Sequence, residues 1–274
     1  MNPASATASL NPAPVLHRSP RHPHAWVWGL VLSQCLVVAV WWWLGWHVGL
    51  PLMAASHLLF LWGTLWPRSA LFGPVLGRLP TSEKQVWLTI DDGPSNDTPA
   101  LLDLLDRHQA KATFFVVGER AMAQPELVRE IVRRGHGIGN HSHTHPSATF
   151  WMLGPARMRR EIAQCQQVLT AITGFAPRWF RAVVGMANPF VSAPLRELGL
   201  ARTAWSARAF DAVASDPARV LARIERDIQP GAIVLLHEGA RHGRNLEAIA
   251  LLLGRLDALG YRSVLPEEIE ARTQ

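Results

Sequence analysis

The chain has 274 residues, enough for one large domain or two ordinary ones, and its two cysteines, Cys35 and Cys165, exclude a disulfide framework. Its formal charge of +6 looks basic, yet no Asp or Glu precedes Glu83, and the only basic residues in that stretch are Arg18, Arg21, Arg68 and Arg78. Of the 27 basic residues, 23 therefore face all 21 acidic ones, and this near balance argues against a nucleic-acid partner, which would need a basic face.

Residues 1–24, rich in Pro, Ala and Ser, read as a disordered tail. From Trp26 to Trp46 no charge interrupts the chain, and 21 helical residues would cross a hydrocarbon core of roughly 30 Å. A second uncharged run, Val48 to Trp66, carries Pro51, Ser56, His57 and Thr64 and is only just long enough to span. Eight of the twelve tryptophans lie between Trp26 and Trp66, close to the ends of these runs, where an amphipathic ring prefers the headgroup zone. A cleaved signal peptide fits poorly, because the first run is long, begins late and is followed by another. With Arg18 and Arg21 before the pair and Arg68 and Arg78 after it, the charge rule predicts a hairpin in a bacterial inner membrane with both ends cytoplasmic. A single span would put the remainder on the opposite side. The expected organisation is a tail to residue 24, membrane segments over 25–67, a linker over 68–83 and a domain over 84–270.

Beyond Pro80, short apolar runs alternate with amphipathic stretches. Val86–Ile90, Ala112–Val117, Gly137–Gly139, Trp179–Arg181, Arg202–Trp205, Ala232–Leu236 and Ser263–Leu265 read as strands. Helices are expected over Thr98–His108, Pro125–Arg134, Pro155–Thr173, Pro189–Leu198, Pro217–Ile228 and Asn245–Leu259, several opening on Pro and followed by Gly. The fold class is therefore α/β, a distorted (β/α) barrel of about seven parallel strands preceded by one or two transmembrane helices. In such folds chemistry collects at the carboxyl ends of strands. Five patches fall there: Asp91-Asp92-Gly93-Pro94, His141 to His145, Arg181, Asp211 and Leu236-His237.

Asp-Gly-Pro alone would be an ordinary turn signal, but here it ends a buried strand, so one carboxylate could bind a metal while the other reaches a water. His141 and His145, four apart, would share one face of a helical turn, a spacing suited to two imidazoles on one divalent ion. With a carboxylate they form a His, His, Asp set that leaves positions for water and substrate. His143 would point elsewhere, and Ser142 would hydrogen-bond the loop backbone. His237 ends the most apolar strand, a place suited to a general acid. Asp211 could hold it, and Arg181 could pair with Asp91. For Asp211 and Arg181 an ordinary ion pair stays open.

Residues 86–265 resemble the polysaccharide deacetylase family, carbohydrate esterase family 4, also called the NodB homology domain. The family's Thr-Phe-Asp-Asp-Gly-Pro stands here as Thr89-Ile90-Asp91-Asp92-Gly93-Pro94, its His-Ser/Thr-x-x-His as His141 to His145, and its Leu-x-Leu-His as Val234-Leu235-Leu236-His237. The resemblance implies Asp91 as base, Asp92, His141 and His145 as metal ligands, His237 as acid and the Val184 backbone as an oxyanion donor. It further implies a divalent metal, Zn2+ first, with Co2+, Ni2+ or Mn2+ as alternatives. Two motifs depart: Arg-Pro-Pro-Tyr-Gly is Arg181-Ala182-Val183-Val184-Gly185, and Asp-x-x-Asp-Trp is Arg208-Ala209-Phe210-Asp211-Ala212. The expected activity is removal of N-acetyl groups from an amino-sugar glycan at a membrane, with no protein partner expected. A deacylase of a lipid-linked sugar at the cytoplasmic face, or an inactive sugar-binding membrane protein, are the rivals.

Overall fold

The computed structural model describes residues 16–272. Helices α1 (Ala25–Leu44) and α2 (Trp46–Leu65) pack on each other through a turn at Gly45, and both are long and apolar enough to cross a membrane. Only 6% and 17% of their most apolar windows is buried, which is not how the core helix of a soluble domain sits. Trp42 and Trp43 are 86% and 84% exposed. The seam between the helices is tied by Gln34, whose amide donates to Ser56 Oγ at 3.1 Å.

The tail expected up to residue 24 needs correction. Leu16 is buried in a cluster with Trp87 and Trp179, and the His17 ring lies 3.0 Å from the Arg178 carbonyl. An apolar side chain that finds such a pocket fixes the chain behind it. The other part of that expectation, residues 1–15, lies outside the described residues.

The sheet contains β1 (Val75–Leu76), β2 (Gln85–Gly93), β3 (Ala112–Val116), β4 (Gly137–Asn140), β5 (Trp179–Phe180), β6 (Ala201–Thr203), β7 (Ala207–Arg208), β8 (Ala232–His237) and β9 (Arg262–Ser263). All its pairs are parallel, in the order β1-β6-β5-β4-β3-β2-β8-β7, with β9 beside β2. The path curls like a barrel without closing. Among the described residues the seven expected strands are present, and two short ones join them: β7, because the 201–208 stretch yields both β6 and β7, and β1 from the expected linker.

Around the sheet run α3 (Thr98–Arg107), α4 (Gly118–Ala123), α5 (Pro125–Arg133), α6 (Pro155–Thr173), α7 (Ser192–Glu197), α8 (Pro217–Asp227), α9 (Asn245–Leu259) and α10 (Pro266–Arg272). α3, α5, α6 and α8 each carry Pro in the first turn, where a missing N–H costs least. On α6, burial of Cys165 pushes its thiol up to about 12, which makes it a small apolar filler rather than a nucleophile.

Both faces of the central strands are buried, as their continuous apolar runs require. Val86, Leu88 and Ile90 pack outward under the helices with Phe114, Val234 and Leu236. Trp87 packs inward with Phe115, Ile233 and Leu235. Side chains alternate along a strand, so Asp91 inherits the inward parity of Trp87, and His237 that of Ile233 and Leu235. Asp91 and His237 are also register partners on neighbouring strands. Each fully buried aliphatic or Phe contributes about 1.5–3 kcal/mol, so the strands that present these two groups are anchored by the best-packed part of the domain.

Candidate active site

Asp91 is buried, and its Oδ1 accepts from Arg181 Nη1 at 2.8 Å. That leaves Oδ2, 3.7 Å from His141 Nε2, facing the cavity. In a regular strand Asp92 would point to the opposite face. Instead the register shifts between Asp91 and Gly93, and Asp92 takes a left-handed backbone with φ 72°. The bulge re-aims its carboxylate into the cluster.

Asp92 Oδ1 then lies 2.9 Å from His145 Nε2 and 3.4 Å from His141 Nε2. This oxygen is buried and receives no aligned donor. Burial pushes the Asp92 carboxyl up, but the two imidazoles outweigh it and hold the group well below the usual carboxylate range. Three ligand atoms within 4.8 Å of one another are what a divalent ion needs, since ligands about 2.1 Å from a tetrahedral centre sit about 3.4 Å apart. The His141 ring is oriented to ligate through Nε2, because its Nδ1 lies 2.9 Å from the Arg181 carbonyl and is thereby fixed as the donor. The residues present fit a resident metal ion.

The two histidines converge, but not through a helical turn. Residues 141–145 form a loop in which Ser142 and His145 have φ of 69° and 52°. Ser142 Oγ accepts from the His145 N–H at 3.2 Å, and Asn140 Oδ1 accepts from the Ser142 N–H at 3.0 Å. The outer half of the loop hangs on Glu161 of α6, a buried carboxylate that accepts from the His143 and Thr144 amides at 3.1 and 2.8 Å and from the Thr144 hydroxyl at 2.7 Å. Glu161→Ala removes the shared acceptor of these part-buried donors and is expected to cost about 1–3 kcal/mol in urea denaturation; Glu161→Gln, which keeps an acceptor, should lose less. Equal stability of Glu161→Ala and the parent chain would remove this role.

Asp211 is buried beside His237: its Oδ2 accepts from the His237 amide at 2.7 Å, and its Oδ1 lies 2.9 Å from Nδ1. The free Nε2 is left for the cavity. Burial pushes the imidazole down, but Asp211 outweighs this, with Asp91 and Asp92 adding to it, and His237 rises to about 9. Arg181 is fully buried, donating also to Thr89 Oγ1 at 2.7 Å and the Ala204 carbonyl at 3.1 Å, with its guanidinium 4.2 Å from the Phe115 ring centroid. Val184 stands at the cavity wall with φ 48°, a conformation a β-branched residue adopts only under constraint.

The cavity, about 710 Å³, is lined by Asp91, Asp92, His141, His145, Val184 and His237 together. Arg181 and Asp211 stand behind it. Two buried carboxylates escaped the sequence reading. Glu161 falls on the apolar stripe Met158, Ile162, Cys165 and Leu169 of α6, and a charge on that stripe was a usable signal. Glu238, next to His237, accepts from the Ser95 hydroxyl at 2.8 Å and from the Thr98 hydroxyl, and its carboxylate presses on Gly93 where any side chain would collide with it. Burial pushes Glu238 up to about 7 against those hydrogen bonds. It clamps the loop after Asp92 to the strand that carries His237.

The polysaccharide deacetylase family profile matches residues 78–203. A chitooligosaccharide deacetylase from Bradyrhizobium sp. (strain ANU 289) is 38% identical over 158 residues, covering 57% of this chain and 71% of that protein. The peptidoglycan-N-acetylglucosamine deacetylase PgdA of Listeria monocytogenes is 33% identical over 189 residues, and the match covers 69% of this chain but only 39% of that longer protein. Among solved structures, a CE4 family pseudoenzyme from Bacillus anthracis superposes with a TM-score of 0.65 at 28% identity, over 72% of this chain and 69% of its own. Family profile, identity and fold agree, and the chain belongs to the polysaccharide deacetylase family, hydrolases of carbohydrate N-acetyl amide bonds.

Proposed function

We propose that this chain is a membrane-anchored, metal-dependent hydrolase that removes N-acetyl groups from the amino sugars of a glycan. The observation that carries the reading is the meeting of Asp91, Asp92, His141, His145 and His237 around one cavity. A fold match alone would be shared by inactive relatives, whereas this set of side chains brings a candidate base, three metal-ligand atoms and a candidate acid around one space.

Asp92, His141 and His145 would hold the cation, a nitrogen-and-oxygen donor set that suits Zn2+ and also accommodates Co2+, Ni2+ or Mn2+. When bound, the ion supplies Lewis acidity to the attacking water and to the amide carbonyl. Asp91, with one oxygen committed to Arg181, uses the other to take the proton of the water. The Val184 amide donates to the oxyanion, a role that needs no side chain. His237, held through Nδ1 by Asp211, gives the proton at Nε2 to the departing nitrogen.

The strained backbone of Val184 supports its part. Val184→Gly keeps the N–H and removes the conformational cost, so it should preserve the rate while raising stability by about 1 kcal/mol, read from thermal melts beside initial rates. A large rate loss would show that the side chain, not the amide, matters.

The test of the function is acetate release by the purified full-length chain from N-acetylchitooligosaccharide, before and after chelation. Release that stops with the chelator and returns with Zn2+ or Co2+ is expected. Release persisting in protein stripped of metal would sink the metal assignment, and no release from N-acetylated sugars would favour the inactive sugar-binding protein.

A second reading, a lipid-linked sugar as substrate, is favoured by one contact. The Ala187 N–H, just past the Val184 loop, donates to the Thr64 carbonyl in the last turn of α2 at 3.1 Å. Gly185 (φ 78°) runs so close to Pro67 that an added Cβ would sit 3.0 Å from the proline Cβ. The oxyanion loop thus rests on the end of a membrane helix, which keeps the cavity near the bilayer surface. A reporter fused after Gln274 discriminates: a cytoplasmic signal, the side the positive flanks predict, favours the lipid-linked sugar, and an external signal favours a wall or capsular polymer.

A further inference from the structure

A second cavity, of about 870 Å³, lies where residues 17–26 and 71–74 meet Arg196, at the domain end of α1. Arg18, Arg21 and Arg196 line it, and no acidic residue does among the described residues. Neither Arg21 nor Arg196 has an ion-pair partner among the described residues. His17, also in the wall, is not a fourth cation: burial and then Arg178 push its imidazole down, and its ring is committed to the Arg178 carbonyl. The first turn of α1 opens on this cavity through Ala25 and Trp26, with no side-chain cap and no acidic residue in it, so the positive end of the helix adds to the field.

This basic chamber does not end in the protein. It shares Ala25, Trp26, Leu71 and Phe72 with a slot of about 260 Å³ that runs up between α1 and α2, past Gly29 and Phe60. One end is cationic and the other apolar, and the apolar end is set between two helices suited to hydrocarbon. A free phosphate would use only the first part. Trp26, packed edge-on against Phe190 with ring centroids 5.4 Å apart, stands at the junction, the depth at which an indole marks the headgroup zone.

We infer that the two connected cavities form a binding site for an anionic phospholipid, its phosphate between Arg21 and Arg196 and the first carbons of an acyl chain in the slot between α1 and α2. This rests on the membrane-anchored reading and adds to it a specific lipid contact. Such a lipid would fasten the domain to the bilayer on the side of α1, while the Thr64 to Ala187 contact fastens it on the side of α2.

The test uses the full-length chain in nanodiscs of equal phosphatidylglycerol and phosphatidylcholine, with retained lipid read by native mass spectrometry. Selective retention of phosphatidylglycerol is expected. The double variant Arg21→Gln/Arg196→Gln should weaken it roughly 30-fold, the weight of two arginines at an anionic surface. Gly29→Leu changes no charge; a Cβ at this wall position meets nothing within 4 Å, so a larger side chain can be introduced there to narrow the slot. It should lower retention as well, which a purely superficial charge effect would not predict. Both variants should still release acetate from a soluble chitooligosaccharide. Equal retention of the two lipids, an unaffected double variant, or full competition by inorganic phosphate would overturn the site while leaving the anchor standing. Extraction of the chain from membranes by carbonate would overturn anchor and site together, without touching the deacetylase assay.

Discussion

Replacing Asp92 with asparagine is expected to cut acetate release by more than about 10³-fold and to strip bound metal from the purified protein, because changes merely behind a metal ligand already cost about 10–100-fold. Asn is close in size and can keep the strand-end turn, so the loss isolates the charge. The carboxylate is the single anion among the three ligand atoms, and Oδ1 is buried without an aligned donor, an arrangement costly to maintain unless a cation offsets it. Metal content by mass spectrometry and the circular dichroism of the variant are measured together. A folded Asp92→Asn protein that still holds an equivalent of metal and still turns over would remove Asp92 from the ligand set.

The metal-free protein offers a companion observation. Burial pushes Asp92 up but His141 and His145 outweigh it and hold it below its ordinary range, so the stability this gives is present above that range and is lost progressively as pH falls below it toward the depressed value. Acid titration of the chelated wild type should show the loss, and Asp92→Asn should lack it.

Much of this site was legible in the sequence, and the reason is the parity of buried strands. The runs ending at Asp91 and His237 are apolar on both faces, so they could be placed as central parallel strands, and residues at their ends had to fall at the same rim. What escaped was local backbone that breaks periodicity. The spacing of His141 and His145 reads equally well as a helical turn or as a loop with two left-handed residues, and only the tertiary ties to Asn140 and Glu161 select the loop. Likewise the bulge at Asp92 reverses the divergence expected of adjacent strand residues. Glu238 meets its partners Ser95 and Thr98 across more than half of the chain, a contact no local pattern announces. Short elements such as β7 and α4 are fixed by their neighbours rather than by propensity.

The pair His237 and Asp211 carries the remaining large effect. His237→Ala should lower kcat about 10²–10⁴-fold, the usual contribution of a positioned proton donor, and it should do so with the metal still bound. The pH profile gives the sharper test. As an acid, His237 must be protonated, and its imidazole is raised from 6.5 to about 9 in the metal-free fold, where Asp211 overcomes the burial that would lower it. A raised group contributes stability that is fully present below about 6.5 and is lost as pH climbs toward 9. Activity should accordingly fail on the alkaline side, with a limb below about 9 because a bound cation repels the imidazolium. Asp211→Asn keeps a partner near Nδ1 but removes the charge, so the alkaline limb should move to lower pH while metal content stays the same. If the limb stays in place in Asp211→Asn and survives in His237→Ala, the titrating acid is some other group, and the direction of its shift would then point to Glu238, whose carboxyl near 7 is the remaining raised group at this cavity.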